Sequence, residues 1–470
     1  MDLSNFAATF QRFMEQMSRL AFAEAASPLK DLLDRHIGAD VETIPVITES
    51  FAAYDHVNVQ VAMSAYLQVG GRTHRVVGMT GQQRHFGSFS DVLEMTRHGA
   101  TRVGPVDLVN LPVGPDETLA CVQFGLFLVA DPGGPFAVLM RGPGEHRPQP
   151  DVSLEVVTPD EAMTRRFLDD IRRLMVELNV FRGQVMGFGE SHLGHLGAGP
   201  IVFLRRPEMA REQLVLGEGL LESVELEILG IARHRDRLRA SGQHVKRGLL
   251  LHGPPGTGKT HTVRYLIGQA QQHTVVLLTG GGLAMVRPAC ALARLLQPAM
   301  VVLEDVDLVA HERGMFGHGM PTPLLFDVLN EMDGMAEDAD VAFVLTTNRA
   351  DLLEPALAER PGRVDLAVHI GLPDEDARAR LIALYGRGLD LRLDKPGVVV
   401  ARTEGVTASF VKELMRKSAL IAAEGSRGDG RITVTDAHVG RALDELLAER
   451  NELTRALLGA ESPDRPGRRE

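Results

Sequence analysis

The run Gly253-Pro254-Pro255-Gly256-Thr257-Gly258-Lys259-Thr260 fills the pattern G-x-x-x-x-G-K-[ST] without a mismatch. It restricts the fold because it works only between a buried strand and a helix. Its glycines let the backbone curl so that successive N–H groups converge on a phosphate at the helix N-terminus, where the dipole favours anions. Lys259 then adds a compact charge, and the Thr260 hydroxyl is placed to ligate Mg2+. The residues ahead, Arg247–His252, are mostly apolar, as a buried parallel strand entering such a loop should be. The motif implies a bound nucleoside triphosphate.

Lysine at position 259 stands against a strong compositional bias, since only six of the chain's 50 basic residues are lysines. An ammonium on a flexible stem and a planar guanidinium do not substitute for each other where a compact charge must reach between phosphates. The 470 residues suffice for two to four domains, and 44% apolar with 24% charged residues is an ordinary globular balance. A net charge of −12 argues against a partner, such as nucleic acid, that needs a broad basic surface. Two distant cysteines, Cys121 and Cys290, give no support to a disulfide framework and fit a reducing cytoplasm. The longest apolar stretch, Leu119 to Ala130, is too short to span a bilayer and contains Gln123, so no membrane anchor or signal is expected.

About forty residues past the loop, Pro298 to Leu303 forms an apolar run that ends in Glu304-Asp305-Val306-Asp307, where an NTPase holds its metal and activates water. A further apolar run, Val341 to Thr347, delivers Asn348 at its end, an amide able to bond a γ-phosphate or orient water. At Glu359-Arg360-Pro361-Gly362-Arg363, two arginines flank a Pro-Gly turn suited to presenting guanidinium groups outward.

These four ordered motifs span about 110 residues and resemble the AAA family of the AAA+ ATPases, whose second region of homology carries Thr347-Asn348-Arg349 and Arg360-Pro361-Gly362-Arg363 here. The resemblance implies an α/β P-loop NTPase with a parallel sheet and a helical lid. It also implies ATP and Mg2+ as cofactors, and a homo-oligomeric ring, usually a hexamer, in which Arg360 and Arg363 complete a neighbour's site. Upstream, Glu212 to Gly217 lies where the family places an adenine-contacting segment, with Gly217 allowing close approach to the base. Gly405 to Val411 resembles the start of the lid helix, with Ala408 and Ser409 near the ribose; Phe410 stands where the family often has Asp. The expected divisions are 1–205, an N-terminal α+β domain; 206–374, the large ATPase subdomain; 375–450, the lid; and 451–470, a tail.

The order Glu304-Asp305 reverses the family's usual Asp-Glu pair and is similar to the branch that includes the mitochondrial translocase of the Rieske protein. Glu304 then aligns with the metal-side acid and Asp305 with the general base. The exchange shifts each carboxylate by about 1.5 Å, and a slow ATP-dependent switch or scaffold stays open beside an active ATPase. The aromatic-apolar-Gly loop of threading machines has no counterpart in Gly280 to Pro288, where Met285 and Val286 offer only a weak grip; Phe316, in the Gly-rich Arg313 to Met320, is a second candidate. No H-E-x-x-H zinc motif occurs, His311-Glu312 standing alone, so a built-in protease is not expected.

Residues 1–205 are read from pattern alone. An amphipathic helix is expected over Asn5–Ala25, and strands over Val57–Leu67, Arg75–Met79, Cys121–Ala130, Phe136–Met140 and Ser153–Val157. Asp131-Pro132-Gly133-Gly134 is expected as a hairpin turn, and Thr158 as the cap of a helix reaching about Leu178. Glu190, His192 and His195 sit in a Gly-rich linker, Gly187 to Pro200, that is expected to bind no metal. By analogy with the family, the N-terminal domain is the element that recruits a protein substrate or adaptor.

Overall fold

The computed structural model describes residues 28–80, 88–97, 102–144, 151–189, 201–307, 323–349, 364–425 and 430–448. The helix expected at Asn5–Ala25, the Glu190-His192-His195 loop, the Phe316 loop, the Arg360 and Arg363 pair and the tail from 451 lie outside the described residues. Contacts divide the chain into Met1–Phe181 with Gly189–Phe203, and Arg182–Phe188 with Leu204–Glu470. Arg182–Phe188, ahead of the boundary expected at 205, thus belongs with the second unit.

In the first unit the element order is α1 (Pro28–Ile37), β1 (Val46–Phe51), α2 (His56–Gln68), β2 (Thr73–Thr80), α3 (Phe89–Arg97), β3 (Arg102–Gly104), β4 (Asp107–Pro112), β5 (Thr118–Asp131), β6 (Gly134–Arg141), β7 (Val152–Val157) and α4 (Glu161–Glu177). The strands form one antiparallel sheet ordered β1-β7-β6-β5-β2-β3, with β4 also on β5. β5 and β6 are joined by the expected hairpin, with Asp131 opposite Gly134. Successive residues of β6 enter different cores. Val138 and Met140 pack with Met63 of α2 and Phe167 of α4, whereas Ala137 and Leu139 pack with Leu33 of α1 and Phe89 of α3. A sheet covered on both faces has no polar side, which is why these strands read as unbroken apolar runs.

The structure corrects two expectations here. Val57–Leu67 is helix, not strand. Its opening V-x-V-x-V alternation imitates a half-buried strand, yet the intervening polar residues are buried and bonded. Gln60 Oε1 accepts from Val122 N–H at 2.9 Å, and Asn58 Oδ1 accepts from Val180 N–H at 3.0 Å. The cap of α4 is Asp160 instead of Thr158: the Asp160 side chain accepts from Ala162 N–H at 2.9 Å, while the Thr158 hydroxyl accepts from Asp160 N–H. A carboxylate nearer the first turn meets the unpaired N–H groups and the helix dipole directly.

The second unit adds β8 (Val185–Phe188), with β9 (Ile201–Leu204) spanning the division. It continues with α5 (Leu220–Glu225), a π-helical turn (Leu226–Gly230), α6 (Ile231–Ala240), β10 (Arg247–His252), α7 (Lys259–Gln269), β11 (Thr274–Leu278), α8 (Val286–Leu295), β12 (Ala299–Leu303), α9 (Pro323–Asp333), β13 (Val341–Thr347) and β14 (Leu366–His369). Strands β14-β10-β13-β12-β11-β8 run parallel in that order. β8 is not expected from the sequence, and its last two residues overlap the linker expected from Gly187. From β10 the chain crosses to β11, returns through β12 to β13 beside β10, and then places β14 on the other side. Such a reversal leaves a crevice at the C-terminal strand ends. A lid follows: α10 (Glu375–Tyr385), β15 (Asp390–Arg392), α11 (Pro396–Arg402), α12 (Ala408–Glu424), β16 (Thr433–Thr435) and α13 (Asp436–Leu447). It carries its own core around Phe410, Leu414 and Leu443. The expected α/β P-loop architecture with a helical lid, preceded by an α+β domain, is the observed fold. Val286, offered as a pore-facing residue, is instead buried at the start of α8.

Arg247 ties this unit together from the start of β10. It is fully buried and donates Nη1 to Asp340 Oδ1 and to Val245 O, both at 2.8 Å, and Nε to Ile228 O, a carbonyl of the π-helical turn, at 3.2 Å. Removing the carboxylate by Asp340→Ala leaves a buried guanidinium uncompensated and should cost about 3–5 kcal/mol, seen as a lowered unfolding midpoint of this unit. His273 stacks a second sensitivity on that site. Burial, and then the Arg247 guanidinium, hold its imidazole below its ordinary value. The unfolded chain takes up this proton first as pH falls, so the His273 contribution is intact above the unfolded value near 6.5 and is lost as pH drops toward the folded one. His273→Gln should flatten the decline of unfolding midpoint between about pH 6.5 and 4.5.

Candidate nucleotide site

The loop after β10 owes its path to two glycines. Gly253 has φ +143, and a Cβ there would lie 2.2 Å from Ile370 O, so any side chain would separate the loop from β14's exit. Gly256 has φ +77 and a virtual Cβ 3.0 Å from Ser409 Oγ, where the lid helix approaches. Ser409 N–H donates to Gly256 O at 3.1 Å, joining α12 to the loop. α12 is capped by Thr407, whose side chain accepts from Phe410 N–H, while Phe410 itself is buried in the lid core.

Between loop and lid lies a cavity of about 290 Å³ lined by Pro255 through Thr260, Asp305, Asn348 and Ala408. Gly253 and Pro254 contribute otherwise: their carbonyls each accept from the Lys259 ammonium at 2.8 Å. Lys259 is buried, and that burial lowers its affinity for a proton, opposed by the charges of Asp305 and Asp307. Gly217 is not among the lining residues; Gln213, Leu214 and Val215, just before it, are. Arg360 and Arg363 lie outside the described residues.

The acids occupy different settings. Glu304 is hydrogen-bonded by the Thr260 side chain, yet its Oε1 is buried with no protein partner. Burial, and secondarily the charge of Asp305, push its carboxyl above the usual range. Asp305 has φ +52, a left-handed conformation that costs an L-residue about 1 kcal/mol and that Asp tolerates better than most. Asn348 Nδ2 reaches Asp305 Oδ1 at 3.4 Å. A hydroxyl beside a carboxylate with an unsatisfied oxygen is a hard-oxygen donor set of the kind Mg2+ takes, and the buried ammonium at the helix start suits phosphate. Both groups fit the residues present.

Several lining residues went unread in the sequence. Lys412 follows Ala408 by one helical turn on α12, a spacing that could have revealed it. Tyr385 and Leu381 come from α10 with no local signature, and His261 from the first turn of α7. Burial, then Lys412, lower the His261 imidazole's proton affinity. Asp307, which the sequence places in the acidic run without a role of its own, bonds Thr347 and Asn348 behind the cavity's lining.

Comparison with known proteins agrees with this geometry. Residues 249–372 match the ATPase family associated with various cellular activities (AAA). The chain is similar to the ATP-dependent zinc metalloprotease FtsH 2 of Sphaerobacter thermophilus, 35% identical over 235 residues covering 47% of this chain and 35% of that protein. It is also similar to FtsH 3 of the same organism, 32% identical over 298 residues, 61% of this chain and 58% of that protein, and to FTSH 6, chloroplastic, of Arabidopsis thaliana, 31% identical over 234 residues, 47% and 33%. The chain thus spans between about a third and six tenths of these relatives' length. Among the described residues, no cluster of three or more His, Cys, Asp or Glu could hold a metal, and no helix is long and apolar enough to cross a membrane.

Lys259→Ala should weaken ATP binding roughly 10- to 100-fold, the worth of about 1.5–3 kcal/mol of charged hydrogen bonding. Titration calorimetry would read the loss, and chelating Mg2+ should reduce affinity in the native chain more than in Glu304→Gln. Over residues 249–372, this chain carries an ATPase domain of the AAA family.

Proposed function

We propose that the chain is a Mg2+-dependent ATPase that assembles into a ring, as a hexamer, and uses ATP hydrolysis to remodel a protein or protein complex recruited by its N-terminal domain. The observation that carries this reading is that one cavity is lined by the phosphate-binding loop as far as Thr260 and by Asp305 with Asn348 beside it, while Thr260 also bonds Glu304, whose Oε1 has no partner. The relatives' printed names, ATP-dependent enzymes all, support it. Two buried free cysteines suit the cytoplasm as its setting.

In this reading the residues divide the chemistry. The loop's N–H groups and the Lys259 ammonium, released from Gly253 O and Pro254 O, bind and orient the β- and γ-phosphates. Thr260 and Glu304 would hold Mg2+, which when bound would supply positive charge to offset that of the phosphates. Asp305 accepts a proton from the attacking water, and Asn348 orients that water or a γ-phosphate oxygen. Leu214 and Val215 close on the base side, with Ala408 beside the ribose. Arg360 and Arg363 reach the neighbouring subunit's site, where a guanidinium stabilises charge on the transferring phosphoryl group. The divisions at 205, 374 and 450 follow as recruiting, catalytic and lid regions.

Turnover per protomer should rise with protein concentration as shared sites form. Mixing Arg360→Ala with Lys259→Ala subunits should restore turnover above either alone, because some mixed interfaces then pair an intact loop with an intact arginine. Turnover independent of concentration, with no recovery on mixing, would contradict the ring; nucleotide binding without turnover would make the chain an ATP-dependent switch.

A further inference from the structure

Strands β12 and β13 end side by side, and the segments leaving them are stitched together by side chains as well as backbone. Asp305 N–H donates to Thr346 Oγ1 at 2.9 Å, and Val306 N–H to Thr346 O at 3.0 Å. Asp307 then turns back into the protein. It is 6% exposed, and its Oδ1 accepts from the Thr347 hydroxyl at 2.9 Å and from Asn348 N–H at 3.1 Å. Thr347 Oγ1 in turn accepts from Arg349 N–H at 2.9 Å. One carboxylate oxygen therefore fixes both the Thr347 side chain and the backbone of Asn348, whose amide reaches Asp305.

We propose that Asp307 is a positioning residue of the ATPase site: it holds Asn348, and through it the Asp305 carboxylate, at the angle the reaction requires. The inference rests on the ATPase reading above and deepens it. Asp305 alone cannot set that geometry, because its backbone is left-handed and its N–H is held by the Thr346 side chain alone. Asn348 stands at the end of β13, where the ladder of parallel hydrogen bonds to β10 and β12 has finished. The bond from Asn348 N–H to Asp307 is what continues that ladder by one residue. An ionised acceptor is stronger than a neutral one, which suits a carboxylate to this place better than an amide. Thr347, fully buried, has no solvent to replace its partner.

The test compares Asp307→Ala, Asp307→Asn and Thr347→Val in the full chain, reading ATP turnover together with affinities for ADP and for ATP. Loss of the clamp should lower kcat roughly a hundredfold in Asp307→Ala, as misplacement of a reacting group by about 1 Å does. KM and ADP affinity should stay within about twofold, since neither Asp307 nor Asn348 belongs to the loop that grips the β-phosphate. Asp307→Asn, which keeps an acceptor oxygen, should recover much of the rate, and Thr347→Val, which removes one of the two bonds, should fall between. In an Asn348→Ala background, Asp307→Ala should add less than about threefold, because its effect passes through Asn348.

Equal slowing in both backgrounds, or ADP affinity that falls with the rate, would overturn the assignment and leave Asp307 a residue of the fold alone. A native chain without turnover would defeat the ATPase reading and the Asp307 assignment with it, whereas turnover that Asp307→Ala leaves at the native rate would overturn the assignment alone.

Discussion

A lysine ammonium held by the carbonyls of its own loop is the interaction on which the second unit turns. Lys259 sits in the first turn of α7, buried, with Gly253 O and Pro254 O each 2.8 Å away. Holding it there requires the loop to double back, and that in turn requires Gly253, whose missing side chain lets Ile370 O approach. The parallel order β14-β10-β13 brings Ile370, His252 and Thr347 to one edge, so the loop, Asp305 and Asn348 share a single cavity. A buried cation satisfied by neutral carbonyls alone is placed to exchange them for an anion.

The reversed acids make physical sense in this setting. The longer side chain, Glu304, is half-buried and bonded by Thr260, with its Oε1 turned out of solvent, where one further methylene lets a carboxylate reach inward from the strand end. The shorter one, Asp305, sits where the backbone has already turned left-handed and faces the cavity beside Asn348. Asp is among the few residues other than Gly that adopt this conformation readily, so the order Glu-Asp and the local backbone are matched. The lid meets the same loop through Ser409 and Gly256, so a backbone hydrogen bond ties the lid helix to the phosphate-binding backbone.

The second unit was legible where chemistry restricts spacing. A phosphate-binding loop dictates the strand before it and the helix after it, and the apolar runs ending in Glu304 and Asn348 are parallel strands that no other element could be. Residues reaching the cavity from afar, such as Tyr385 and Leu381, leave no such trace, because only the packing of α10 on the loop brings them there. Arg182–Phe188 shows the same limit: β8 pairs with β11 across ninety residues of sequence, a contact that no local pattern encodes. In the first unit, the error at Val57–Leu67 came from treating polar residues as surface residues. Asn58 and Gln60 are instead buried and bond backbone groups that their neighbours leave unpaired. Burial with satisfied hydrogen bonds mimics alternation without being a strand.

The account stands or falls on whether the Asp305 carboxylate, at the mouth of this cavity, takes part in breaking a phosphoanhydride bond. Single-turnover hydrolysis of ATP, with protein in excess, separates that step from binding and product release. The account predicts that Asp305→Asn binds ATP as the native chain does and leaves it intact over many native half-lives. Hydrolysis at the native rate in Asp305→Asn would contradict it.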